Sequence, residues 1–303
     1  MRSRRRARIA IGLLICAAGA QCGRSGSEPP GALAPTPPFT TAAPQVLVGA
    51  GDIGDCRTPG PAMTATLLDA IAGTVFTLGD NAYPSGSAKD YQDCYDPQWG
   101  RHKARTRPVP GNHEYETGAA AAYFAYFGAS AGPPGVGYYS YDLGAWHVVA
   151  LNSNVPLGAS SAQASWLRDD LAASPRRCTL AYWHHPLFSS GENGDTLAAR
   201  ELWAILYEAG VELVMAGHDH DYERFAPQDP QGRSDPAKGI REFVVGTGGA
   251  PPYQFARVRD NSEVRVSGQY GVLRLTLLSD AYQWEFVTAS RPGVGDSGTD
   301  RCH

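Results

Sequence analysis

The chain has 303 residues, 43% of them hydrophobic and 18% charged, enough for one substantial core or two small ones. Its net charge of −4 conceals an asymmetry: five arginines fall in the first eight residues, and without them 21 basic residues face 30 acidic ones. A surface that acidic offers no footprint for a nucleic-acid backbone and no polybasic membrane patch, so neither is expected as a dedicated partner.

Residues 1–20 read as an export leader. Arg2, Arg4, Arg5, Arg6 and Arg8 precede the apolar run 9–18, and Ala18-Gly19-Ala20 has the small-residue pattern of a cleavage site. The run is shorter than the ~20 apolar residues a membrane span needs. A secreted, periplasmic or otherwise extracytoplasmic protein without a membrane span is therefore expected. Cys22 offers an alternative lipid anchor, which Gln21 before it fits poorly. Residues 21–44 are rich in Pro, Gly, Ser, Ala and Thr and read as a flexible or PPII-like spacer. The folded region is expected over 45–290, with 291–303 as a Gly-rich tail.

Strand-like and helix-like runs alternate from there. An apolar segment over 46–51 ends at Asp52, a helix is expected over 61–72, and a second apolar segment over 74–79 ends at Asp80. The short stretch 107–110 leads into Gly111-Asn112-His113-Glu114. Residues 136–143 and 145–151 read as a hairpin and 161–171 as a helix. The strand-like run 178–182 leads into Trp183-His184-His185-Pro186. A helix over 196–207 has Gly210 as its C-cap, and the apolar run 211–216 ends in Gly217-His218-Asp219-His220. Runs 240–245, 271–278 and 282–287 read as antiparallel strands. Strand–helix units followed by strands imply an α/β protein with mixed sheets covered by helices.

Cys56, Cys94, Cys178 and Cys302 make an even number in an exported chain, which favours disulfides. Four cysteines allow three connectivities. Cys56 and Cys94 each follow one of the two acidic turns and are expected to pair, leaving Cys178 for Cys302. A thiolate metal site is disfavoured, since no C-x-x-C spacing occurs.

Five apolar segments thus end in oxygen or imidazole donors. Singly, a Gly-Asp after a strand is more often a turn former or helix cap, and a lone histidine a packed one. Together the donors suit hard-to-borderline cations and exceed what one ion can use. A carboxylate can bridge two ions about 3.5–4 Å apart, the clamp used in hydrolysis at phosphorus.

The blocks Gly51-Asp52-Ile53-Gly54, Gly79-Asp80-Asn81-Ala82-Tyr83, Gly111-Asn112-His113-Glu114, Ala181-Tyr182-Trp183-His184 and Gly217-His218-Asp219-His220 resemble the signature of calcineurin-like metallophosphoesterases. Tyr83 and the run 218–224 resemble the small purple acid phosphatase branch. The resemblance implies a four-layer α/β/β/α sandwich of two mixed sheets flanked by helices. It implies two metal ions: Fe(III) at a site of Asp52, Asp80, Tyr83 and His220, and Fe, Zn or Mn at a site of Asp80, Asn112, His184 and His218. The implied activity is hydrolysis of small phosphate monoesters by a metal-bound hydroxide. His113, beside a ligand position, is then the catalytic residue that protonates the leaving oxygen, and it binds substrate together with Asn112.

Asn193 falls where the family places a second substrate-facing histidine. An amide can bind a phosphate oxygen but cannot supply a proton, so a strongly acidic pH optimum is not carried over. His185 is expected to diverge from His184 and to be structural. The Gly-rich loop 246–252 is expected to border the mouth of the site, and Glu223 and Arg224 to form ordinary ion pairs. Two alternatives stay open: a phosphodiesterase on the same core, and a catalytically silent, metal-stabilised binding protein.

Overall fold

A computed structural model describes residues 43–289 and 293–303. The expected leader, most of the spacer and Cys22 lie outside the described residues. In chain order the first half holds β1 (Gln45–Ala50), α1 (Gly60–Ala70), β2 (Thr74–Leu78), α2 (Ala88–Asp90), β3 (Thr106–Val109), α3 (Asn112–Tyr115) and α4 (Ala121–Phe127). Next come β4 (Tyr139–Leu143), β5 (Trp146–Ala150), α5 (Ala162–Ala173), β6 (Cys178–Tyr182), α6 (Arg200–Glu208) and β7 (Leu213–Ala216). The chain ends with β8 (Tyr222–Phe225), β9 (Arg241–Val245), β10 (Ser262–Val266), β11 (Gly271–Leu277), β12 (Ala281–Thr288) and β13 (Gly293–Arg301).

Two mixed sheets result, in the orders β13-β12-β11-β1-β2-β3 and β10-β8-β9-β7-β6-β5-β4. Successive side chains of a strand point to opposite faces, and the second sheet shows the consequence. Trp146, Val148 and Ala150 of β5 and Leu180 and Tyr182 of β6 face the core shared with Leu47, Phe76 and Leu275 of the first sheet. The intervening Val149 and Ala181 face a second core with Leu167 of α5 and Leu202 and Leu206 of α6. Buried on both faces, these strands read in the sequence as nearly unbroken apolar runs. The first sheet is covered by α1, which packs against β11. The architecture is the helix-flanked double sheet expected.

Local signals account for the helix ends. The Ser161 side chain accepts the Ala164 N–H at 3.1 Å and starts α5. Gly210, at φ +71°, follows α6 in the left-handed conformation of a C-terminal cap. The helix expected from 196 begins with a 3-10 turn at Leu197–Ala199 before α6 proper.

Two expectations are corrected. β9 is antiparallel to β8 but parallel to β7, because it returns to the sheet beside the strand that carries His218. Residues 293–301 are not a tail: β13 pairs antiparallel with β12 along its length. A Cβ at Gly298 would lie 2.2 Å from the Trp284 ring, and one at Gly295 would lie 3.0 Å from Phe286. The glycines that suggest a tail therefore make room for aromatic rings of the neighbouring strand.

Both disulfides form as paired, Cys56–Cys94 and Cys178–Cys302, with Cα–Cα distances of 5.0 and 5.7 Å. Cys178 opens β6 of one sheet and Cys302 follows β13 of the other, so this bond staples the sheets together. No helix among the described residues is long and apolar enough to cross a membrane.

Candidate metal centre

β1, β2 and β3 are parallel neighbours, so Asp52, Asp80 and Asn112 emerge at one end of the first sheet. β6 and β7, parallel in the second sheet, deliver His184 and His218 to the same place. Asp52, Asp80 and His218 adopt left-handed backbone conformations, with φ of 59°, 47° and 71°. That geometry is costly for non-glycine residues and turns the side chain back across the strand end. The turns hold one another. The Asp52 N–H donates to Gly79 O at 3.0 Å. The His218 N–H donates across the sheets to Asp52 Oδ2, and the His113 N–H to Asp80 Oδ1, each at 2.9 Å. Gly111 is required by close approach, since a Cβ there would lie 2.1 Å from Asp80 Oδ1.

The donors form two groups. In the first, Tyr83 Oη lies 3.0 Å from Asp52 Oδ1, 3.1 Å from Asp80 Oδ2 and 3.1 Å from His220 Nε2. In the second, His184 Nε2 lies 3.0 Å from Asn112 Oδ1, 3.3 Å from Asp80 Oδ2 and 3.2 Å from His218 Nδ1. Asp80 Oδ2 belongs to both. The histidines are oriented from behind: Nδ1 of His184 donates to Leu78 O at 2.7 Å and Nδ1 of His220 to Pro251 O at 2.8 Å. In the neutral ring the Nε2 lone pair of His184 then faces the oxygens of Asn112 and Asp80, while that of His220 competes with Asp52 and Asp80 for the single proton of Tyr83 Oη. One N–H cannot satisfy three acceptors converging on His184 Nε2. A cation can, so the residues present fit a metal in each group.

The electrostatics agree. Burial and the charges of Asp52 and Asp80 hold the Tyr83 phenol well above its ordinary pKa, so only a strongly polarising cation would draw off its proton. Burial works against a charge on His184, but Asp80 outweighs it and raises its pKa to about 9. Burial and His184 push His218 down to about 4. Asp52, Asp80 and His184 are within 1% of complete burial.

His113 sits differently. Its Nδ1 donates to Pro84 O at 2.5 Å, its ring lies 4.6 Å from Tyr83, and its Nε2 is 3.7 Å from Asp80 Oδ2. Its side chain is 28% exposed, so it is at the mouth of the site. Asn193 reaches the 217–220 turn instead, where its amide N–H donates to His218 O at 3.0 Å. The loop 246–252 does border the centre: Gly248 N–H donates to Gly51 O and Ala250 N–H to Asp52 O, both at 2.8 Å.

Two smaller expectations fail. His184 and His185 do not diverge, because the chain bends after β6 and strand alternation stops there. Their ring centres are 4.8 Å apart, and His185 lies 4.5 Å from His218. Arg224 pairs with Asp296 and Glu263, but Glu223 forms no ion pair among the described residues. It accepts hydrogen bonds from the Ser190 backbone and hydroxyl at 2.8 and 2.5 Å.

Glu223 is one of three buried acids that pin the 187–194 segment beside the centre. Asp219 accepts from Ser189 Oγ at 2.5 Å, Asn193 N–H at 2.8 Å and Gly194 N–H at 3.2 Å. Glu242 accepts the N–H groups of Leu187 and Phe188 at 3.1 and 3.2 Å. Sequence reasoning missed Asp219 and Glu242. The signal for Glu242 is a pair of adjacent charges, Arg241 and Glu242, in a strand run that is apolar on either side. A further missed neighbour, Tyr253, stacks on His220 with ring centres 3.9 Å apart.

The family model of the calcineurin-like phosphoesterases matches residues 47–222, more than half of the chain and all five donor turns. This chain belongs to that family. Among curated proteins it is 34% identical over 185 residues to purple acid phosphatase 21 of Arabidopsis thaliana, covering 52% of this chain and 41% of that one. It is 31% identical over 174 residues to purple acid phosphatase 23 of the same plant, covering 49% and 38%. The chain thus matches less than half the length of these relatives. A purple acid phosphatase from yellow lupin (Lupinus luteus) seeds shares the fold, with a TM-score of 0.73 at 20% identity, over 86% of this chain and 54% of that one.

Proposed function

We propose that this calcineurin-like protein is an exported hydrolase of small phosphate monoesters with two metal ions, of the purple acid phosphatase type. The observation that carries the proposal is the pair of donor groups sharing Asp80 Oδ2. Asp52, Asp80, Tyr83 and His220 hold one ion, and the phenol suits Fe(III) because a phenolate brings a full negative charge. Asp80, Asn112, His184 and His218 hold the other, as Fe, Zn or Mn. When bound, the ions supply a water made nucleophilic near neutral pH and positive charge for the transition state. Asn112 orients the phosphate. His113, kept in one ring orientation by Pro84 O, presents Nε2 at the mouth and gives a proton to the departing oxygen. Asn193 offers its second amide N–H to a phosphate oxygen. The leader reading and the two disulfides support export.

The test is elemental analysis and a visible spectrum of natively produced protein, with rates on an aryl phosphate and a bis-aryl phosphate. Two metal ions and faster monoester turnover support the reading. Faster diester turnover makes the protein a phosphodiesterase, and metal-loaded protein inert on both overturns the hydrolase assignment. Absence of iron and of colour removes the Fe(III) site alone.

A further inference from the structure

The imidazoles of this centre share a pattern. His184, His220 and His113 each have Nδ1 tied to a backbone oxygen, of Leu78, Pro251 and Pro84, which leaves Nε2 as the working nitrogen. His185 repeats it. Its Nδ1 lies 2.7 Å from Ser153 Oγ, and the same oxygen accepts the His185 backbone N–H at 3.1 Å. This double tether sets the direction of the ring. Among the described residues no hydrogen-bond partner meets its Nε2.

The ring does not point away from the centre. It lies 4.5 Å from His218 and 4.8 Å from His184, centre to centre. One nitrogen from each of the three histidines falls within 4.8 Å of the others, close enough to share one ion. The second donor group also has the weaker charge. It holds one amide oxygen, two imidazoles and a carboxylate oxygen shared with its neighbour, whereas the first adds a whole carboxylate and a phenol. A further neutral nitrogen there favours a borderline divalent ion over a hard one.

We propose that His185 is an additional ligand of the second cation, completing a three-imidazole face with His184 and His218, held in place by Ser153. This rests on the two-ion reading above.

The test is metal binding by the full chain, stripped of metal and titrated with Zn²⁺ or Co²⁺ alone against a competing chelator. The wild type is expected to take up two ions. His185→Ala should keep the first and bind the second at least roughly tenfold more weakly, with a changed Co²⁺ visible spectrum for that equivalent, and Ser153→Ala should weaken the same ion by roughly tenfold. Unchanged second-ion affinity and an unchanged Co²⁺ spectrum in His185→Ala overturn the proposal and leave the two-ion reading standing. If His185→Ala does not fold by thermal melting, Ser153→Ala decides in the same way: weakened second-ion binding supports the proposal, and unchanged binding overturns it. A wild type that binds fewer than two ions overturns the two-ion reading itself.

Discussion

His113 and Gly111 are two residues apart and serve the centre in opposite ways. His113 is partly exposed and belongs to neither donor group, so His113→Gln should leave metal content unchanged while lowering kcat on an aryl phosphate by about 10²–10⁴-fold. Elemental analysis beside initial rates checks both halves. An unchanged kcat would return His113 to a packing role. Gly111 contributes no side chain, yet its place is more constrained. A Cβ would lie 2.1 Å from Asp80 Oδ1 and 2.3 Å from the Asp80 amide nitrogen, both fixed atoms. Gly111→Ala should therefore displace the carboxylate common to both groups and cost about 1–3 kcal/mol of stability. The expected readings are a lower urea midpoint and metal content below the wild-type ratio. At this scale the sequence was most legible: a glycine and then a donor at the end of an apolar run is a local pattern with a local cause, a strand end that must turn without a Cβ in the way.

At the scale of elements, α5 is fastened to its sheet by a polar contact as well as by Leu167. His147 of β5 places Nδ1 3.0 Å from Asp142 Oδ1 and Nε2 2.8 Å from Asp170 Oδ2 on the helix, while Arg176 also pairs with Asp142. Burial lowers the His147 pKa, but its bonds to Asp170 and Asp142 outweigh this and leave it raised. The folded state thus binds the proton more tightly than the unfolded state. The resulting stability is fully present below the ordinary histidine pKa of about 6.5 and is lost as pH rises through the higher folded value. His147→Gln should lower Tm more at pH 5.5 than at pH 9; an equal loss at both would sink the assignment. This contact could not be read in the sequence, because Asp142, His147 and Asp170 come together only when a hairpin and the following helix are packed. β13 hid for a related reason. Its glycines look like a tail until Trp284 and Phe286 are seen to fill the space above them.

At the scale of the molecule, the two sheets meet, among the described residues, through an apolar core and the Cys178–Cys302 link. Cys178 and Cys302 are 124 residues apart in sequence and join β6 to the segment after β13. Replacing both with serine should cost about 2–5 kcal/mol, because a long loop in the unfolded chain is no longer closed. The check is a urea midpoint below that of the oxidised wild type and not below that of fully reduced protein, which loses Cys56–Cys94 as well. The loss should reach the centre as well, since His184 and His218 stand on the same sheet as Cys178 while Asp52 and Asp80 stand on the other.

The order and chemistry of the five turns and the apolar runs behind them follow from residue pattern alone, because each depends on neighbours a few positions away; counting the cysteines left three connectivities, and the structure selected the expected one. Only the tertiary structure decided that Asp80 Oδ2 is common to both donor groups, that His185 turns toward His218 rather than away, and that Asp219, Glu223 and Glu242 fasten the segment beside the centre. Those outcomes depend on how neighbouring strands, their end loops and the two facing sheets are set together, and no local spacing encodes the distance between atoms of elements far apart in sequence.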